Sequence, residues 1–214
     1  MTNVKGIVAK KIGMTRMIDG KGQMIAVTLL QIEKQKITKV LSKSRDGYDA
    51  YQIGYFEKKE KGLCKPDIGR LRKNGIEDNF SRFVEVRLDN EAASLEVGRI
   101  LDTEVLKGVM SVDVTGITKG RGFTGSVKRW DTACGRMSHG SRFHRRPGSL
   151  GTRTTPGRVF HGKPVPGHYG VEQVTIQNLG VVDLDSDHSL VALKGAVPGH
   201  RNGYLLLNPS IKSK

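Results

Sequence analysis

No part of this chain approaches the roughly 20 consecutive apolar residues that a membrane-spanning helix needs. Its first residues also lack the basic, then apolar, then small-residue pattern of a secretory leader. A cytoplasmic protein with no membrane partner is expected. Cysteine is scarce: only Cys64 and Cys134 occur, far apart and without C-x-x-C spacing, which argues against a disulfide framework and a four-cysteine zinc site. Both thiols are expected to be reduced and passive. Acidic residues are outnumbered, 21 against 36 lysines and arginines, and the net charge of +15 makes the protein repel itself unless a polyanion is near. Nucleic acid is the first candidate. With 214 residues the chain has ample material for a hydrophobic core, so folding needs no disulfide or metal staple.

Glycine, by contrast, is abundant, with 27 residues, nearly twice the average share. Much of the backbone must turn or approach something closely. Between Val4 and Val40, apolar clusters at 7–9, 24–32 and 37–41 predict short strands, and Asp19-Gly20-Lys21-Gly22 carries hairpin turn chemistry. Residues 43–94 are more mixed. An alternating Tyr51-Gln52-Ile53-Gly54-Tyr55-Phe56 run, a short helix around 67–73 and a strand near 83–88 predict an α+β insertion there. Strand character returns over 97–116 and again at 171–176, 179–184, 189–193 and 204–207, with turns at Asp185-Ser186-Asp187 and Val197-Pro198-Gly199. The expected fold class is mostly β with an α+β insertion.

Residues 119–168 break the pattern. Gly and Pro interrupt them at almost every turn length, and a structureless loop of that size inside a domain is either functional or disordered. Charge decides between the two. The segment holds eleven lysines and arginines against the single acid Asp131, while the remaining 164 residues share +5. It also holds ten of the 27 glycines, four of the seven prolines and four of the six histidines. Phe123, Trp130, Phe143 and Phe160 stand among the charges, with Tyr169 just beyond. A solvated basic loop would need neither the glycine density nor the aromatics. Cations neutralise phosphates, glycines let backbone amides come close and aromatics stack on unpaired bases, a combination suited to folded RNA. The segment is expected to order on that ligand.

Other chemistries are weaker fits. Gly120-Arg121-Gly122-Phe123-Thr124-Gly125 has the G-x-G-x-x-G form, but Ser126 to Ser141 lacks helical periodicity and no acid lies between Asp131 and Glu172 to hold a ribose. The same frame fails as a P-loop, because Ser126-Val127 stands where Lys-Ser or Lys-Thr is required. Cys134, His139, His144 and His161 could be imagined around zinc, yet their spacing matches no finger pattern, and neutral or RNA-bonded histidines explain them equally well. No carboxylate is placed to orient a catalytic base and there is no nucleophile elbow. Neither an enzyme, a cofactor nor a small-molecule substrate is expected. Trp130 has two readings, ordinary packing or an RNA-facing anchor whose indole both stacks and donates a hydrogen bond.

Several runs resemble one family. They are Gly6-Ile7-Val8-Ala9-Lys10-Lys11-Ile12-Gly13-Met14-Thr15, Lys119-Gly120-Arg121-Gly122-Phe123, Val127-Lys128-Arg129-Trp130, His139-Gly140-Ser141 and His144-Arg145-Arg146-Pro147-Gly148-Ser149-Leu150-Gly151. Thr155-Pro156-Gly157-Arg158-Val159, Val174-Thr175-Ile176-Gln177-Asn178-Leu179 and Leu193-Lys194-Gly195-Ala196-Val197-Pro198-Gly199 complete the set. In this order the chain resembles the universal large-subunit ribosomal protein number three family, of bacterial or organellar type.

The resemblance implies a six-stranded Greek-key β-barrel of translation-factor type, formed by 1–42 and 95–214, with an α+β insertion at 43–94. It implies that 119–168 is a long irregular extension penetrating the large-subunit rRNA toward the peptidyl-transferase centre, with Trp130 near that centre and residues 151–155 at the tip. Many bacterial relatives carry a methylated glutamine at the tip; Thr152 and Thr154 stand there here, so that modification is expected to be absent. The implied partners are large-subunit rRNA and neighbouring ribosomal proteins, and the implied location is the cytoplasmic large subunit. The RNA-contacting residues expected from charge and resemblance together are Lys10, Lys11, Lys119, Arg121, Lys128, Arg129, Trp130, Arg136, His139, Arg142, His144, Arg145, Arg146, Arg153, Thr154, Arg158 and Lys163. The expected role is that of a structural constituent that helps nucleate assembly of the subunit. A free RNA chaperone or nucleic-acid-binding regulator fits the composition as well.

Overall fold

In the computed structural model, residues 5–88 and 95–212 are described. Val4 and the end of the expected insertion, 89–94, lie outside them. The chain divides into two units, one built from 1–116 and 174–214 and the other from 117–173.

In the first unit, Asp19-Gly20-Lys21-Gly22 turns as its chemistry requires. The Gly22 N–H donates to the Asp19 carbonyl at 2.8 Å and the Asp19 N–H to Gln23 at 2.8 Å. This turn joins β1 (Ile7–Ile18) to β2 (Met24–Gln31). β1 runs nine residues past the apolar cluster that marked it, through Lys10-Lys11 and a bulge between Lys11 and Gly13. With β6 (Ser111–Ile117), β9 (Gln173–Asp185), β10 (Leu190–Lys194) and β11 (Tyr204–Pro209), these strands close a six-stranded ring in the order β1-β11-β6-β9-β10-β2. Alternating side chains point inward, and Ile7, Leu30, Val114, Val191, Leu193 and Leu207 are fully buried.

β3 (Lys36–Leu41), β4 (Ala50–Glu57) and β5 (Phe80–Arg87) form a separate antiparallel sheet. This corrects the expectation that 1–42 belongs wholly to the ring. Ile37 to Leu41 pair with β4, because the helical turn α1 (Lys43–Asp46), ended by Gly47 at φ +86°, folds sequence neighbours back on each other. Helix α2 (Lys65–Lys73), with Pro66 in its first turn, buries Leu71 against Ile76 and Phe80. The strand character expected over 97–116 holds only from Ser111. Before it lies a 3₁₀ turn, Thr103–Leu106, whose start is capped by Asp102 accepting the Thr103 N–H at 2.6 Å. The two runs expected at 171–176 and 179–184 are one strand, β9. Asn178 takes a left-handed φ of +57° and its N–H is satisfied by Asp113 at 2.8 Å, so the strand kinks without ending.

Two buried polar side chains join the small sheet to the ring. The Tyr51 hydroxyl accepts the Gly6 N–H at 2.8 Å and donates to the Gly6 carbonyl at 3.0 Å, and burial pushes its pKa up to about 12. The amide of Gln35, wholly buried, accepts from the Val8 N–H and donates to the Val8 carbonyl, both at 2.9 Å. It acts as one residue of an extra strand. Gln35→Leu should therefore lower stability by about 2–4 kcal/mol, since two buried backbone groups lose their partners. Urea unfolding measures this, and an unchanged midpoint would contradict the bridging role.

Candidate nucleic-acid interface

The second unit is a finger closed at its base by a short ladder. β7 (Gly122–Thr124) pairs with β8 (Gly167–Tyr169) in the register Gly122↔Tyr169, Phe123↔His168, Thr124↔Gly167. Three more bonds extend the base: Thr118 N–H to the Glu172 carbonyl at 2.9 Å, Glu172 N–H to the Thr118 hydroxyl at 3.1 Å and Arg121 N–H to the Tyr169 carbonyl at 2.9 Å. Together they make a hydrogen-bonded clasp at the base.

Beyond it, α3 (Ser126–Trp130) is one helical turn that the sequence pattern did not reveal. It is fixed by the carbonyl of Val165, which accepts both from Arg129 at 3.0 Å and from the Trp130 indole N–H at 2.9 Å. Val165 was missed in the sequence. The available signal is Pro164-Val165-Pro166, where flanking prolines offer no N–H and leave a carbonyl free to be claimed. Trp130 packs only in part: its N–H is committed inside the finger, the Arg129 guanidinium lies 5.0 Å from its ring, and half of the side chain remains exposed. Arg129, half-buried, is accordingly an anchor within the finger.

Farther out, residues 134–136 run beside 143–145. The Gly135 N–H donates to the His144 carbonyl at 2.6 Å, His144 Nδ1 lies 3.2 Å from the Arg136 carbonyl, and Arg145 reaches the Cys134 sulfur at 3.5 Å. At the far end, the Thr152 hydroxyl donates to the Thr155 carbonyl at 2.6 Å and Gly157 takes φ +69°, turning the chain back. Arg121 stands over the Tyr169 ring at 4.9 Å and Arg158 over Phe160 at 5.7 Å.

Two properties set this unit apart. Its only buried residues are Thr124, Ser126 and Gly170, whereas Phe123 is 82% exposed, Met137 65% and Phe160 58%. There is no apolar core. Lys119, Arg121, Lys128, Arg136, Arg142, Arg145, Arg146, Arg153, Arg158 and Lys163 are all exposed, as are His139, His144 and Thr154. Among the described residues, none of the unit's cations forms an ion pair. Asp131, its one acid within 119–168, caps α3 with φ +53°.

Lys10 and Lys11 lie elsewhere, in the first unit, and both have protein partners. Lys10 pairs with Glu33 at 2.7 Å, and the same carboxylate accepts the Tyr204 hydroxyl at 2.7 Å. The desolvated position and the bond to Glu33 hold the Tyr204 phenol above its ordinary range. Lys11 donates to the carbonyls of Val197 at 2.9 Å and Gly199 at 3.3 Å. Both side chains are half-buried and held by bonds within the fold.

A family model described as Ribosomal protein L3 matches residues 84–189, which include the whole finger. The chain is 43% identical over 210 residues to a protein named large ribosomal subunit protein uL3 from Shewanella sediminis, covering 97% of this chain and 99% of the relative. A protein of the same name from Blochmanniella floridana is 44% identical over 209 residues, covering 97% and 94%. Similarity of that extent means that the chain belongs to the ribosomal protein L3 (uL3) family.

Proposed function

We propose that this protein is a structural constituent of the large ribosomal subunit in the cytoplasm, binding large-subunit rRNA through the finger. The observation that carries the reading is a unit with eleven unpaired cations and no core of its own. Exposed like charges crowded together repel one another with no paired acid to offset them, and apolar side chains in water give nothing back. RNA supplies both missing parts, phosphates for Lys128, Arg136, Arg142, Arg145, Arg146, Arg153 and Arg158, and base faces for Phe123, Trp130 and Phe160. The arginines suit crowded phosphates because each guanidinium can bind two oxygens at once.

In this reading the first unit is a Greek-key barrel of translation-factor type. The ring order β11-β6-β9-β10 supports it, since three successive strands are followed by a fourth that returns beside the first. The division into domains follows the expected one, a discontinuous barrel from 1–42 and 95–214 that carries the extension 119–168, except that β3 joins the small inserted sheet. The finger points toward the peptidyl-transferase centre, where it shapes RNA and supplies no reacting group, and the protein nucleates assembly beside neighbouring ribosomal proteins. A free RNA chaperone fits the same charge, but the names of the relatives favour the subunit.

Sedimentation separates the two. The protein should comigrate with large subunits through a high-salt wash, because many simultaneous contacts hold it. Complete release into the top fractions would favour the chaperone.

A further inference from the structure

Outside 119–168 the charges sum to +5, and residues 58–73 alone account for that excess, with seven lysines and arginines against Glu60 and Asp67. The rest of the protein is neutral. These residues form a 3₁₀ turn at Glu60–Gly62 followed by α2, and all seven cations are exposed. The arginines are occupied: Arg70 pairs with Asp67 at 3.2 Å and stacks on Phe83 at 4.0 Å, and Arg72 donates to the Ile76 carbonyl at 3.0 Å and to the Glu77 carbonyl. Lys58 lies 5.3 Å from the Phe56 ring. Lys59, Lys61, Lys65 and Lys73 have no ion pair or hydrogen-bond partner for their side chains among the described residues.

The same small sheet treats other lysines differently. Lys34 and Lys36 both reach Asp78 at 2.5 Å, and Lys39 reaches Asp46 at 3.4 Å. Hydrogen bonds from Lys34 and Lys36 hold the Asp78 carboxyl below its usual range. Lys59, Lys61, Lys65 and Lys73 thus stand close together in the chain with no carboxylate on any of them among the described residues.

A second observation coincides with them. Gly69 lies in the interior of α2, four residues from Lys65 and four from Lys73, so all three share one face. Glycine is a poor helix former. Neither packing nor backbone demands it here, because a Cβ at 69 meets nothing within 4 Å and φ is not in the left-handed region. A shallow notch between two lysines admits a phosphate backbone close to the helix axis.

We propose that the solvent face of α2 is a second RNA-binding site, with Lys59, Lys61, Lys65 and Lys73 on phosphates and Gly69 leaving room for the sugar-phosphate chain. The site rests on the RNA-binding reading only for its partner; its residues are separate from the finger. The test uses the full chain and a transcript of large-subunit rRNA, with affinity measured across a salt series. Replacing the four lysines by glutamine should lower the slope of log affinity against log salt by about 3. Gly69→Gln should raise the melting temperature, since glutamine is the better helix former, and yet weaken binding about tenfold by filling the notch. An unchanged slope in the lysine variant, with a reduced slope on removal of the finger, overturns this site and leaves the finger reading intact. If neither change moves the slope, RNA binding itself fails. Normal RNA binding by the lysine variant with poor incorporation into subunits overturns the site in favour of an acidic protein partner.

Discussion

Deleting Lys128 to Arg158 and bridging the gap with glycine and serine should leave the first unit folded while abolishing stable incorporation into large subunits. Ile7, Leu30, Tyr51, Val114, Leu193, Leu207 and every other residue of the main buried cluster lie outside the deleted stretch. The deleted residues bury nothing apolar, so no cavity opens. For the second half, the deletion removes eight of the finger's eleven lysines and arginines and leaves Lys119, Arg121 and Lys163. If each of the eight releases a counterion on binding rRNA, the slope of log affinity against log salt should fall by about 6. Circular dichroism and thermal unfolding report the fold, the salt series reports contacts, and gradient profiles report assembly. Normal subunits assembled around the shortened protein would sink the functional reading.

How far the sequence alone reaches depends on what each residue's signal depends upon. Short apolar runs such as Val191-Ala192-Leu193 are local, and their strands are where the pattern places them. Partnership is not local. Nothing in Ile37 to Leu41 says that it pairs with β4 and leaves the ring, so the sheet boundary was misplaced. Asn178 reads as a break because its left-handed backbone is made tolerable by Asp113, 65 residues away. The finger was legible for another reason: net charge needs no partner assignment, and a single acid among fifty residues survives any fold. The same rule exposes its limits. Lys10 and Lys11 look like Lys128 in sequence, yet within the fold they bond to Glu33, Val197 and Gly199. Conversely, the lysines around α2 were hidden inside a segment whose helix, sheet and turn signals drew attention first.

The clasp at the base of the finger gives the second large effect. Gly170 is buried at φ +81°, and a Cβ there would overlap the Lys119 carbonyl oxygen and come within 3.0 Å of the Gly120 Cα. Both obstacles are backbone and cannot swing aside as a side chain could. Gly170→Val should therefore cost the clasp about 3–5 kcal/mol, adding left-handed strain for a branched residue to the loss of bonds around Thr118, Arg121 and Glu172. Gly122 is the control. It also has positive φ, +62°, but open space surrounds its missing Cβ, and asparagine tolerates that backbone, so Gly122→Asn should cost under about 1 kcal/mol. Hydrogen exchange reads the difference site by site: the Arg121 and Glu172 amides should lose protection in Gly170→Val and keep it in Gly122→Asn, while the Val8 amide held by Gln35 is unaffected in both. RNA affinity should fall in the valine variant alone, because the finger's ordering must then be supplied by the ligand. Equal protection in the two variants would mean that the ladder, and not the Gly170 contact with Lys119, closes the root.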